Sequence, residues 1–137
     1  MVSLILVRGL PGSGKTTFAR EVADAVYSAD DHFTVGGVYT FDPTLLPAAH
    51  ELCRRNVRES LVLALGGASH RKRVAVANTF SRTWEMEKFV AMAKELGVRL
   101  FIVDLFDAGM SDAELAARCV HAVPERAIAV QRARWEH

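Results

Sequence analysis

Two cysteines are all that the 137-residue chain carries, Cys53 and Cys119, far apart, with no CxxC pair and no histidines at zinc-ligand spacing. That scarcity excludes a disulfide framework and suits reduced thiols in a cytosol. No basic N-terminal region precedes a cleavable apolar core, and no apolar run approaches the ~20 residues of a membrane span. A cytoplasmic location with no membrane partner is therefore expected. Excess charge is lacking too. The net charge is +1, so any basic surface for nucleic acid must be local. Linkers, repeats and low-complexity tracts are missing. Half the residues, 50%, are hydrophobic, which excludes disorder and suits one domain over residues 1–137. None of this fixes the oligomeric state.

What the chain does have is concentrated near its start. Gly9-Leu10-Pro11-Gly12-Ser13-Gly14-Lys15-Thr16 fits the phosphate-binding loop G-x-x-x-x-G-K-[ST]. The apolar run Leu4-Ile5-Leu6-Val7 reads as a buried strand entering it. Phe18, Val22 and Val26 follow at helical spacing. Strand, glycine loop and helix together give the pattern its meaning. Successive backbone N–H groups of such a loop curl around a polyphosphate, and the helix N-terminus adds its favourable field. Lys15 is expected to reach the β- and γ-phosphates, the Thr16 hydroxyl to hold Mg²⁺, and Thr17 to complete the nucleotide-binding stretch.

The rest of the sequence alternates strand and helix. Strands are expected at Ser3–Arg8, Val26–Ala29, Arg73–Asn78 and Val98–Phe106. Helices are expected from Lys15 to Ala25, from Leu45 to Leu65 and, capped by Thr83, to Leu96. A loop with Gly36-Gly37 separates the second strand from the long helix. Ser111-x-x-Glu114 is a capping box opening a short helix to Cys119, and Pro124 suits the first position of a last helix to Trp135. This order implies an α/β fold, a mainly parallel sheet with helices on both faces. Ligands of such sheets bind beyond the carboxyl ends of the strands. That rule gathers Asp30-Asp31, Asn78-Thr79, Asp104 and Asp107 around the phosphate loop.

Phosphoryl transfer needs a phosphate cradle, a metal, a group that orients the acceptor hydroxyl, and cations over the transferring group. Asp30-Asp31 at a strand end suits the orienting carboxylate, against the alternative of an Asp-Asp turn or cap. Arg118, before His121-Ala122-Val123-Pro124, is a candidate cation, against the alternative of a solvated arginine. Arg54, Arg55 and Arg58, and the run His70-Arg71-Lys72-Arg73, read as solvated faces before they read as a nucleic-acid patch. Trp84 and Trp135 are expected to be buried or half-buried, against the alternative of stacking a base. One part is lacking. The strand-end acid that helps hold Mg²⁺ in many P-loop enzymes falls on Ala77 or Asn78. Asp30 or Asp31 is expected to serve near the metal instead, through water.

With those residues in view, the chain resembles the small P-loop kinases related to the kinase domain of phage polynucleotide kinase. The resemblance rests on Arg8 to Thr17, Ser28-Ala29-Asp30-Asp31-His32-Phe33, Tyr39-Thr40-Phe41-Asp42-Pro43 with Ala49-His50, Asn78-Thr79 with Trp84-Glu85-Met86, and Leu115-Ala116-Ala117-Arg118 with His121-Ala122-Val123-Pro124. It implies the P-loop kinase fold with a small helical lid. It implies ATP and Mg²⁺, and transfer of phosphate to a hydroxyl, often on nucleic acid. Lys15, Asp30 and Arg118 become the catalytic set, Asp30 as the activating aspartate and Arg118 as a lid arginine. Two positions depart from the family. Ala77 replaces an aspartate before Asn-Thr, and Phe33 replaces an arginine that helps polynucleotide kinase grip its acceptor. Related phage kinases phosphorylate 5-hydroxymethyluracil within DNA. Phe33 and Tyr39 are then candidates for an apolar wall against a flipped base, and DNA is the expected acceptor, in a host cytoplasm if the chain is phage-encoded. A kinase for a nucleoside, sugar or antibiotic, and a nucleotide-dependent binding module, stay open beside it.

Overall fold

The computed structural model describes residues 1–137, the side chains of residues 34 and 35 excepted. Four parallel strands form the sheet in the order β2-β5-β1-β6: β1 (Ser3–Gly9), β2 (Ala25–Tyr27), β5 (Arg73–Asn78) and β6 (Arg99–Phe106). A two-stranded hairpin, β3 (Thr34–Val35) with β4 (Val38–Tyr39), stands apart from it. The helices are α1 (Lys15–Val22), α2 (Leu46–Leu65), α3 (Glu87–Leu96), α4 (Asp112–Arg118) and α5 (Glu125–Ala133).

Alternation along β1 explains the layers. Leu4 and Leu6 point to one face, with Val74 and Val76 of β5, and meet Cys53, Val57 and Leu61 of α2 and Phe89 and Met92 of α3. Ile5 and Val7, with Ala75 and Ala77, point to the other face and meet Ala19 of α1. The α/β expectation holds, with α2 and α3 on one face and α1 on the other. A third apolar cluster, Leu10, Leu115, Ile128 and Trp135, fastens α4 and α5 beside the loop after β1 as a helical lid.

β1 lies between β5 and β6, so the chain passes from one side of it to the other. The crevice at its carboxyl end is where the phosphate loop begins.

Several boundaries differ from the sequence reading for identifiable reasons. α1 ends at Val22 because Ala23 is extended and Asp24 N–H donates to Arg73 O, drawing the chain into β2 at Ala25. The second strand thus begins and ends earlier than expected. The Gly36-Gly37 segment is a two-residue hairpin loop rather than an open loop, both glycines at positive φ (59° and 81°). The helix expected from Thr83 opens as a 3-10 turn, Thr83–Met86. Arg82 holds the cap position, and its N–H donates to the Glu85 carboxylate at 3.1 Å. Pro124 occupies the cap of α5 rather than its first helical position, and the helix stops at Ala133. The capping box at Ser111 and Glu114 forms as expected.

Candidate functional site

The loop after β1 is held from both ends. Leu10, fully buried, donates its N–H to Phe106 O at 2.8 Å, and Ser13 N–H donates to Leu10 O at 3.1 Å. Three glycines are demanded by geometry. A Cβ at Gly9 would strike the Ser13 hydroxyl, and one at Gly12 (φ 83°) would strike the Leu115 carbonyl of α4. Gly14 caps α1 in the left-handed region (φ 93°), where glycine is strongly favoured. No acidic residue enters the first turn of α1, so its N-terminal field is uncancelled.

Two observations test the loop as a phosphate cradle. The buried Ser13 hydroxyl has no hydrogen-bond partner among the described residues. The Lys15 ammonium folds back onto the Leu10 carbonyl at 3.2 Å. Burial lowers the Lys15 pKa to about 8, with Asp30 and Cys119 pulling it back up. An ammonium so poorly compensated suits an incoming polyanion. Thr16 is exposed at the mouth of the loop. Among the described residues no group of three His, Cys, Asp or Glu side chains gathers as a metal site. The Thr16 hydroxyl is a hard oxygen donor of the kind Mg²⁺ takes together with phosphate and water.

Asp30 faces this loop from a 3-10 turn, Ala29–Phe33, that follows β2. Pairing of β2 with β5, Tyr27 opposite Val76, carries the turn alongside Asn78. Asn78 Oδ1 accepts from Ala29 N–H at 2.9 Å and from the Ser28 hydroxyl at 3.2 Å, and Ser28 Oγ accepts from Asp30 N–H at 3.2 Å. So Asn78 is a brace for the aspartate turn. Asp31 points back instead, accepting from Ser28 N–H at 2.9 Å, and burial pushes its carboxyl above the usual range. Ala77 is buried with Ile5, Val7 and Ala19 on the α1 face.

The lid completes the site. Arg118 ends α4, exposed, with its guanidinium 3.8 Å from where a Gly14 Cβ would lie and 3.1 Å from Met110 Sδ. Lys15, Arg118 and Asp30 therefore converge on the loop.

The acceptor side departs from expectation. Phe33 is buried against Ala29 and Ala49, so it is core and offers no wall to a base. One face of Tyr39 is covered by His121, with ring centroids 3.8 Å apart and planes at 21°, while its hydroxyl donates to Asp30 Oδ1 at 3.3 Å. Trp84 is 62% exposed, against the expected burial, whereas Trp135 is buried beneath the Arg8 guanidinium at 4.2 Å. Two residues had no assigned role in the sequence. Half-buried His50 feels both Asp30 and Glu85, and burial with the neighbouring Arg54 charge holds it below the usual histidine range. Buried Arg8 donates to the carbonyls of Phe80, Ser81 and Glu136, tying the C-terminal segment to the end of β1. Its position just before Gly9 was the available signal.

A family model described as an AAA domain (AAA_33) matches residues 4–137. The chain belongs to this family. It is 33% identical over 97 residues to NEDD4-binding protein 2 of Homo sapiens, a stretch covering 67% of this chain and 5% of that protein. The chain thus spans a small fraction of the length of that relative. A gluconokinase from Sinorhizobium meliloti 1021 superposes with a TM-score of 0.59 at 21% identity, covering 98% of this chain and 75% of that one. At that identity the likeness speaks for the fold. This member of the AAA domain family has the α/β fold of that structure. Among the described residues no helix is long and apolar enough to cross a membrane.

Proposed function

We propose that residues 1–137 form one kinase domain that transfers the γ-phosphate of ATP to an alcohol group on a small molecule. The observation that carries this is the convergence of Lys15 and Arg118 on the phosphate loop with Asp30 facing them. A switch that only binds nucleotide needs no carboxylate there. Gly9 to Thr17 cradle the phosphates through backbone N–H groups, and Lys15 and Arg118 stabilise charge on the transferring group. Asp30 orients the acceptor hydroxyl and takes its proton as the bond to phosphorus forms. Thr16 would hold Mg²⁺ with Asp30 near it, and the ion would supply neutralisation of phosphate charge. Asp31, spent on Ser28, serves the turn more than the metal.

Two features favour a small acceptor over the DNA expected from the sequence. Five surface arginines are held by carboxylates rather than massed. Arg58 pairs with Glu95, Arg73 with Asp24, Arg82 with Glu136, Arg134 with Glu85, and Arg132 with Asp107 and Asp112. A nucleic-acid track needs such charges free to meet phosphates. The Tyr39–His121 stack also ties the lid segment to the acceptor side, which suits a compact molecule. The fold shared with a gluconokinase supports a polyhydroxylated acceptor of that size. Arg54 beside His50 favours a second reading. One cation there suits an acceptor that carries an anion, including a nucleotide or a DNA 5′ end.

The test is transfer of labelled γ-phosphate from ATP and Mg²⁺ to a panel. It holds gluconate, nucleosides, a duplex with internal 5-hydroxymethyluracil and blocked ends, and a duplex with free 5′-hydroxyls. Label on a small acceptor and on neither duplex is expected. Label on a duplex alone overturns the small-molecule reading, and label on none with ATP bound returns the chain to a nucleotide-binding module.

A further inference from the structure

Two contacts of Tyr39, to Asp30 and to His121, together join the lid to the acceptor side. We propose that Tyr39 is a positioning residue that aims the Asp30 carboxylate, and that His121 latches the lid onto it. The proposal rests on Asp30 as the group that orients the acceptor.

The local structure makes Tyr39 available. Gly36 and Gly37, both at positive φ, close a two-residue loop that sets Thr34 opposite Tyr39. The hairpin so returns over the turn that carries Asp30. Thr40 N–H then donates to Phe33 O at 2.9 Å and holds the return. Phe33, buried below, meets the Tyr39 ring edge-on at 6.4 Å. His121 covers a face of the same ring. The phenol is thus fixed by its neighbours before any substrate arrives.

Chemistry then decides what the hydroxyl does. Burial and the negative charge of Asp30 push the Tyr39 phenol up to about 12, so it stays a proton donor at neutral pH. A carboxylate has two oxygens. With Oδ1 engaged by the phenol at 3.3 Å, rotation about the last torsion of Asp30 is restrained and Oδ2 is the oxygen left for an acceptor hydroxyl. Restraint of this kind counts because a reacting pair must be aligned closely.

His121 brings in the lid. It lies three residues beyond Arg118, with Ala122 in the left-handed region (φ 53°) turning the chain between α4 and α5. The same short segment therefore holds the cation above Gly14 and the imidazole against Tyr39. One closure sets both the charge over the phosphates and the aim of the base.

The experiment measures turnover of labelled Mg²⁺·ATP, with water or the best acceptor of the panel, for the wild type, Tyr39→Phe, His121→Ala, His121→Phe, the Tyr39→Phe/His121→Ala pair and Asp30→Asn. Amide hydrogen exchange of the same proteins is read without substrate. Losing one hydrogen bond to a charged group predicts that Tyr39→Phe lowers kcat about tenfold with KM for ATP within about twofold. His121→Ala should lower kcat by about three- to fivefold and speed exchange in both 118–124 and 36–41, and His121→Phe, which keeps a stacking face, should restore both. The double variant should fall short of the product of the single effects. Wild-type kcat in Tyr39→Phe beside a dead Asp30→Asn overturns the positioning role. Unchanged exchange at 36–41 in His121→Ala overturns the latch, whatever the turnover. Full activity in Asp30→Asn instead removes the base reading.

Discussion

In the proposed site, eight consecutive residues from Gly9 to Thr16 supply the phosphate wall, whereas the facing wall takes Asp30, Tyr39, His50, Arg118 and His121 from separate elements. The first wall is made of backbone. Its shape follows from glycines that tolerate positive φ and from the close approach of Leu115 to Gly12. The second is made of side chains tied to one another: Asn78 to the aspartate turn, Tyr39 to Asp30, His121 to Tyr39. A backbone cradle can serve any nucleoside triphosphate. A wall of side chains can be rebuilt one residue at a time, which is how one scaffold comes to serve many acceptors.

The comparison predicts that changes to the first wall act on nucleotide handling and changes to the second act on turnover. The largest effect should come from Lys15→Ala, which removes the buried ammonium and is expected to lower γ-phosphate transfer by about 10³-fold with weakened ATP binding. Arg118→Ala belongs to the lid and should lower kcat by about 10² to 10³ while ATP affinity changes little. An equal loss of affinity would place Arg118 with the cradle and blur the division. Asn78→Ala removes the brace of the aspartate turn, and a cost of about 1–3 kcal/mol in denaturant unfolding is expected together with reduced kcat. Stability lost without any loss of turnover would show that the brace does not aim Asp30.

The smallest effect is the most specific to the first wall. The Lys15 pKa of about 8 lies below the unfolded value near 10.5. Between those values the unfolded chain holds the extra proton, so this group's contribution makes stability rise with pH across that window, and its full cost is present below about pH 8. Phosphate charge reverses the shift. ATP binding at pH 9 should then take up about one proton, and almost none at pH 7. Calorimetry in buffers of different ionisation enthalpy reads this directly, and equal uptake at both pH values would mean that Lys15 does not meet the phosphates.

The same contrast explains what could be read from the sequence. Residues 9–16 and the apolar run before them are local signals, and the fold class, the cradle and the capping box at Ser111 follow from neighbours a few residues apart. Asp30 was also readable, because an apolar strand leads into it. Its surroundings were not. Phe33 follows the aspartate closely enough to look like an acceptor wall, yet the 3-10 turn delivers it to the core with Ala49. Trp84 looked like a packing residue and stands in solvent, because the chain enters α3 through a turn capped at Arg82 rather than Thr83. Tyr39 and His121 meet only through the hairpin and the lid. No periodicity carries that contact, although Gly36-Gly37 between apolar residues was the hairpin signal that could have pointed toward it. The DNA acceptor rested on resemblance alone, and acceptor identity lives in the side-chain wall where resemblance is least informative.

The central claim is that Asp30 activates an acceptor hydroxyl across from a bound nucleotide. Asp30→Asn, compared with the wild type for labelled γ-phosphate transfer and for ATP affinity, tests it most directly. Transfer should fall by orders of magnitude while ATP binds within about threefold of the wild-type affinity. Transfer close to wild type in Asp30→Asn would contradict the account.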